Sequence, residues 1–446
     1  MLMRILGMDR EPERTPAIPI AGYKHSNVLL FAASLLCPQP IVLARVPDVL
    51  DTRLLSEILR RMGGTVERVG STVVIETSSA QYRPPPVELT APIHGAQYMM
   101  PAILGRFGKI ELGPTGGCQI GGPEARERRP VDHVVHVLEK FGARFEVVDG
   151  ILHGYCDAFK GTELDILEFS TRPDMICGPE VSGATKTAML AGAAAKGRTV
   201  IHNPHYKEAQ WDLARFLRRA GWSIEASKER IVIEDSPSYR IAAYEPVSDT
   251  TEIVTYVAAA VYLKRRLRLF GVTTQAVQRW LSPEVERLEK MGVEFHWEPE
   301  GLYIQPPSRV RAVDVEASSE GLCTDSQPFF TLMLTGADRP SRVRDLVWSH
   351  RFRYATQLLQ LGADLRIDGD SVLVNPRRPY IVGQHISAID TRAGAVLVLA
   401  ALGINGETTI DNLHHVGRGY EDFAEKLKRL GARLEVSDER AAAPAA

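Results

Sequence analysis

Cysteine is scarce in this chain and never clustered. Cys37, Cys118, Cys156, Cys177 and Cys323 are the five in 446 residues, with no CxxC pair and no even set that would make a disulfide framework. A reduced, cytoplasmic setting follows. Long apolar runs are missing too. No uninterrupted stretch approaches the roughly 20 residues of a membrane span, and Met1 to Arg14 mixes acids and bases without the apolar core of an export signal. Neither sign of charge dominates: 53 basic residues face 55 acidic ones, a formal net charge of -2, so no broad nucleic-acid or membrane surface is expected and any anion site must be local. The histidine pairs His133/His136 and His202/His205 have ligand-like spacing but lack companion ligands, and read as structural. The end Ala441 to Ala446 reads as a frayed tail outside the fold.

What the chain does have is a repeat. An amphipathic helix running into Gly, followed by period-two alternation, occurs at Gly63, Gly142, Gly221, Gly292, Gly362 and Gly431, at intervals of about 70 to 80 residues. Small-residue apolar helices are expected around Leu29–Leu36, Thr185–Ala195, Ile253–Tyr262 and Ala393–Leu402, apolar on nearly every side and therefore buried on every side. Strands follow them at Pro40–Ala44, Arg198–His202, Leu267–Phe270 and Thr408–Asp411. The class is α/β (α+β), with three copies of a helix-strand module in each half. Proline and serine between Ser236 and Pro246 mark the break between halves.

One stretch stands outside the repeat. Gly113-Pro-Thr-Gly-Gly-Cys118-Gln-Ile-Gly-Gly122 sets a thiol in a segment too rich in glycine for helix or strand, which reads as a mobile loop. Arg126, Arg128 and Arg129 follow at once, so guanidinium groups stand near the thiol in sequence and can favour a thiolate or an anionic substrate.

Six such units, with Pro114-Thr-Gly-Gly-Cys118-Gln-Ile-Gly121, Arg129-Pro-Val-Asp132, Thr324-Asp325 and Arg418-Gly-Tyr-Glu421, resemble the enolpyruvyl transferase family over essentially the whole chain. The likeness is greater to the branch that uses UDP-N-acetylglucosamine than to the branch making 5-enolpyruvylshikimate 3-phosphate, which lacks the loop cysteine. The resemblance implies a two-domain inside-out α/β barrel of six helix-strand units, three per domain. One domain is 22–245, the other 1–21 with 246–446, and the active site lies in the cleft between them. It implies transfer of the enolpyruvyl group of phosphoenolpyruvate to a hydroxyl of a uridine nucleotide, with release of phosphate and with no metal and no cofactor. By the same resemblance Cys118 is the acid that protonates C3 and can add covalently, and Asp325 is the base or positioning group at the acceptor hydroxyl. Lys24, Arg129, Arg351, Arg392 and Arg418 clamp phosphoenolpyruvate, a dense anion. Arg129, Pro130, Val131, Asp132, Ser182 and Gly183 form the uridine strip. Phosphoenolpyruvate and a uridine nucleotide are the partners, with no nucleic acid and no membrane; the oligomeric state is not set, and a monomer is compatible with the sequence.

The chain departs from the family on the acceptor side. His25 follows Lys24 where the family has Asn, with Asn27 two residues on; His94 falls where the family has an arginine; Gly122 to Arg128 lengthens the loop; and Glu180, in Pro179-Glu-Val-Ser-Gly183, replaces a lysine-bearing segment, where it would repel a diphosphate. Two acceptors therefore stand open: UDP-N-acetylglucosamine, and UMP at its 3'-hydroxyl as in peptidyl nucleoside antibiotic pathways. A non-catalytic nucleotide-binding paralogue is the competing class. A phosphate cyclase would need a reactive histidine near the C-terminus, where His414 and His415 read instead as loop residues.

Overall fold

The structure, a computed structural model, describes residues 1–9, 12, 14–117, 131–234, 238–240, 242–299, 301–348 and 351–437. The chain divides into two compact units. One joins Met1–Ala21 to the chain from Ser248 onward, and the other comprises Gly22–Gly117 with the described residues up to Val247. The N-terminal segment belongs to the first because Leu2–Met8 is hydrogen-bonded on both sides, antiparallel to Thr408–Asp411 and to Ala432–Ser437. Ala17–Pro19 adds a parallel strand to Leu267–Phe270 in the same unit.

In the second unit three helices apolar on nearly all faces, Lys24–Ser34, Met99–Phe107 and Val181–Ala194, pack on one another. Thr250–Leu263, Gln327–Leu334 and Thr391–Leu402 do the same in the first. Such helices cannot face water, and fully buried side chains such as Phe31, Phe329 and Phe330 each contribute about 2 kcal/mol of apolar burial. Three of their threonines are satisfied within the helix: Thr185, Thr255 and Thr331 donate to the carbonyls of Val181, Thr251 and Gln327, four residues back.

Among the described residues the strands pair into six small sheets. Most alternate buried and exposed positions, as in Thr72–Glu76, so one face meets the buried helices and the other meets solvent. Each of the six glycines singled out in the sequence follows a helix and has positive φ, from 90° at Gly63 and Gly431 to 113° at Gly221. Only a residue without Cβ holds that left-handed conformation cheaply, which is why helix gives way to strand there. At Gly221 the demand is doubled, because a Cβ would stand 2.0 Å from the Ser238 carbonyl oxygen.

The chain passes from the second unit to the first between Val247 and Ser248, beyond the proline-marked segment. Ala242–Tyr244 still runs as a parallel strand beside Ile41–Leu43. Fully buried Asp212 then ties down the next residues, accepting from Tyr244 Oη at 2.5 Å and from the Val247 amide at 3.0 Å. Burial pushes this carboxyl up to about 6, against the hydrogen bonds that favour its charge. A raised carboxyl pKa favours the protonated folded state, so its stabilising effect fades as pH climbs from about 4 to about 6. Relative to Asp212→Asn, the wild-type protein should lose about 3 kcal/mol of unfolding free energy across that window. Urea titrations at both ends test this, and an identical pH slope in the two proteins would remove Asp212 as the cause.

Candidate active site

In the first unit the sequence places Asp325 in a turn just before the helix Gln327–Leu334. The turn is held from beneath by buried Glu284, whose Oε1 accepts from the Cys323 amide at 2.8 Å and from Ser326 Oγ at 3.0 Å. Asp325 is thereby presented to two arginines. Arg351 Nη2 lies 2.5 Å from Oδ1, and Arg392 reaches Oδ2 through both Nε and Nη2 at 3.2 Å. The arginine side chains are 6% and 7% exposed, the aspartate 20%, so the carboxylate forms the accessible face of a buried cationic pair.

Each arginine is held in turn. Arg392 is the second residue of Thr391–Leu402, whose start is capped by Asp390 accepting from the Arg392 and Ala393 amides at 2.8 and 2.9 Å. Its guanidinium stands over the Tyr420 ring, 5.1 Å from the centroid. Arg351 Nη1 donates to Thr324 Oγ1 at 3.1 Å, and Thr324 donates to Asp345. Asp345 is fully buried and also takes the Val347 and Trp348 amides at 2.9 Å. Burial raises its carboxyl above the usual range, against those hydrogen bonds. Arg418 ends the short helix Leu413–Arg418 and is 6% exposed. The next residue, Gly419, has no room to spare, since a Cβ there would stand 2.6 Å from Thr391 Cγ2, with Arg392 Nη1 at 3.4 Å. Asp325, Arg351, Arg392 and the Arg418 segment are thus gathered within one unit.

In the second unit Lys24 opens the helix Lys24–Ser34 and lies 3.6 Å from Asp51 Oδ1, with side chains 12% and 4% exposed. Beside them is the turn at His94: Gly95 would place a Cβ 3.8 Å from Asp51 Oδ1, and Gln97 Nε2 is 2.7 Å from His94 Nε2. The approach to the cysteine loop crosses the same turn. A Cβ on Gly116 would meet the Ala91 carbonyl oxygen at 1.7 Å, and one on Gly117, at φ +124°, would meet His94 Cβ at 2.8 Å. Those glycines are a steric necessity. Cys118, Arg129 and Pro130 lie outside the described residues.

Val131, Asp132, Ser182 and Gly183 meet at the adjoining starts of two helices, Asp132–Lys140 and Val181–Ala194. Gly183 lets the buried His133 ring press against the second helix, for a Cβ would stand 2.2 Å from Nε2. Ser182 Oγ accepts from Gln210 Nε2 at 3.3 Å. Burial raises the Glu180 carboxyl, and the nearby charge of Asp132 adds to the shift. His25 and Asn27 flank Ser26 on the Lys24 helix; Asn27 is buried and donates to the Tyr23 carbonyl at 2.9 Å, so it serves its own helix start. Among the described residues no three His, Cys, Asp or Glu side chains group to hold a metal ion.

Sequence reading missed Asp51, Asp345, Glu284 and Tyr420 as supports of the site, because partners that far apart along the chain leave no local spacing signal. Removing the shared carboxylate has a definite expected cost. Asp325→Ala leaves two buried guanidiniums facing each other and should lower unfolding stability by about 3 kcal/mol, recovered in part on adding phosphate. Urea unfolding with and without phosphate reads this, and an unchanged midpoint would show that the three groups do not depend on one another.

Residues 15–427 match the family described as EPSP synthase (3-phosphoshikimate 1-carboxyvinyltransferase). The UDP-N-acetylglucosamine 1-carboxyvinyltransferase of Nostoc sp. is 31% identical over 433 residues, covering 96% of this chain and 93% of that protein. The enzyme of the same name from Gloeobacter violaceus is 33% identical over 422 residues, with coverage of 94% and 87%. Among solved structures, the enolpyruvyl transferase NikO from Streptomyces tendae superposes with a TM-score of 0.90 at 32% identity, covering 97% of this chain and 98% of NikO. EPSP synthase from Acinetobacter baumannii, at 16% identity, shares the fold with a TM-score of 0.72 over 98% and 100%. The chain belongs to the EPSP synthase family of enolpyruvyl (carboxyvinyl) transferases.

Proposed function

We propose that this enzyme transfers the enolpyruvyl group of phosphoenolpyruvate to a hydroxyl of a uridine nucleotide and releases inorganic phosphate. The observation that carries the reading is the Asp325 carboxylate held by Arg351 and Arg392, a base beside cations that suit an anionic donor. In the addition step Cys118 gives a proton to C3 of phosphoenolpyruvate, the acceptor oxygen bonds to C2, and Asp325 takes the hydroxyl proton. In the elimination step C3 loses a proton and the C2–O bond to phosphate breaks, restoring the double bond. Lys24, Arg129, Arg351, Arg392 and Arg418 balance the charge of donor and leaving group. Pro130, Val131, Asp132, Ser182 and Gly183 receive the uridine. The finer architecture we propose is the inside-out barrel of six repeated units, three per domain, supported by the six positive-φ glycines and the six sheets. A cytoplasmic location agrees with the scattered cysteines.

Glu180 favours a second reading for the acceptor. A carboxylate at the helix start beside Asp132 disfavours an extended diphosphate, and the NikO likeness is to an enolpyruvyl transferase as well. UMP at its 3'-hydroxyl is the alternative to UDP-N-acetylglucosamine. Phosphate release from phosphoenolpyruvate, with each nucleotide in turn and with neither, separates them: release is expected only with a uridine nucleotide, and silence with both would refute the reading. Cys118→Ala should slow release at least about 100-fold, since the acid is gone. Fosfomycin, an epoxide, should inactivate the wild-type protein by alkylating the thiol, and mass spectrometry should find the adduct on Cys118. Full activity of the alanine variant would remove Cys118 from the chemistry.

A further inference from the structure

The helix Glu208–Ala220 buries Leu213, Phe216 and Leu217 and leaves Arg215, Arg218 and Arg219 exposed. Spacings of three and four residues set these guanidiniums one turn apart on one face, where like charges repel. The helix packs on Ala242–Tyr244, the edge strand of its sheet, and next to that strand runs Ile41–Leu43, whose middle residue Val42 is turned away from the core. Helix and strands enclose a groove of about 550 Å³, lined by the three arginines from the helix and by Val42, Ala44 and Ala243 from the sheet side. Two of the arginines are held in place. Arg215 lies 4.3 Å from the centroid of the Trp211 ring and 5.9 Å from that of Tyr244, and Arg218 donates Nε and Nη2 to the Ile224 carbonyl at 3.2 and 2.8 Å. Among the described lining residues the acid is Glu245, and it pairs with Arg45 at 3.1 Å. Asp212, whose carboxyl feels the charge of Arg215, is fully buried and taken up by Tyr244 and Val247. Among the described residues none of the three arginines is in an ion pair.

We propose that this groove binds an oligophosphate chain, free or carried by a nucleoside. None of its residues takes part in the enolpyruvyl chemistry or the uridine strip. A guanidinium fork takes two oxygens of one phosphate, so three forks spread over a helical turn offer more donors than a single phosphate can meet. Successive phosphates of a chain give each fork its own oxygens, and their charge relieves the repulsion among the arginines. The groove has the volume of a small-molecule site, and its apolar side gives a nucleoside a surface to lie on.

The test is calorimetric titration of the full-length protein with inorganic phosphate, tripolyphosphate and ATP, the adenine base keeping the last probe apart from the uridine strip. The wild-type protein should bind tripolyphosphate and ATP at least about tenfold more tightly than inorganic phosphate. Equal affinity for the two supports a site that reads the phosphate chain alone; tighter binding of ATP supports one whose apolar side also holds the nucleoside. Arg215→Gln/Arg219→Gln should weaken both at least about tenfold, and Arg219→Gln alone about threefold. Arg342→Gln/Arg366→Gln removes the same charge from exposed positions of the first unit and should weaken them less than about twofold. Equal losses in the two double variants reduce the effect to net charge and overturn the site. Tripolyphosphate binding that survives at wild-type strength in Arg215→Gln/Arg219→Gln belongs to cations elsewhere, such as those around Asp325, and overturns it too, as does a wild type that binds tripolyphosphate no better than phosphate. The readout needs no turnover, so each of these failures leaves the enolpyruvyl transfer reading standing.

Discussion

A single carboxylate shared by two buried guanidiniums, Asp325 between Arg351 and Arg392, is the constraint around which the first unit is arranged. Buried charges of one sign are tolerated only when something of opposite sign is held against them, and holding it requires a rigid setting. The turn that carries Asp325 hangs from Glu284; Arg392 is oriented by the Asp390 cap and the Tyr420 face; Arg351 is steadied through Thr324 and Asp345. The cluster thereby ties the helices Ser282–Met291, Gln327–Leu334 and Thr391–Leu402 and the strand Ser341–Asp345 to one point. An enzyme that handles a dense anion gains from this arrangement, because the cations are already desolvated and oriented before substrate arrives.

The second unit solves a different problem with smaller residues. Gly116 and Gly117 let the chain pass over Ala91 and His94 at distances no side chain would allow, beside Lys24 and Asp51. Gly183 lets a histidine ring meet a helix backbone, and that contact brings the starts of Asp132–Lys140 and Val181–Ala194 together. Glycine here serves close approach more than flexibility. The consequence is that two helix starts adjoin, and Glu180 there feels the charge of Asp132.

The departures from the family noticed in the sequence now have different weights. Asn27 donates to its own helix start, which gives it a local role. His94 is the surface that Gly117 packs on and is paired with Gln97. Glu180 stands at the start of Val181–Ala194, where burial and the charge of Asp132 raise its carboxyl.

The alternation of apolar residues and the six helix-ending glycines made the class of fold legible from the sequence, because helix period, strand period and the need for a left-handed residue are all local properties. The motifs around Cys118, Asp325 and Arg418 made the family legible, since each is written in neighbouring residues. Lys186 was unreadable in that way. In sequence it is one lysine in an apolar helix, and only packing reveals that it is buried and lies against the Tyr98 ring. The supports of Asp325 were hidden for the same reason: Asp345 is 20 residues away and Glu284 is 41 residues away along the chain, and their partnership is created by tertiary contact. Local periodicity determined what each segment becomes, whereas burial, which depends on every segment at once, decided which charges must find partners.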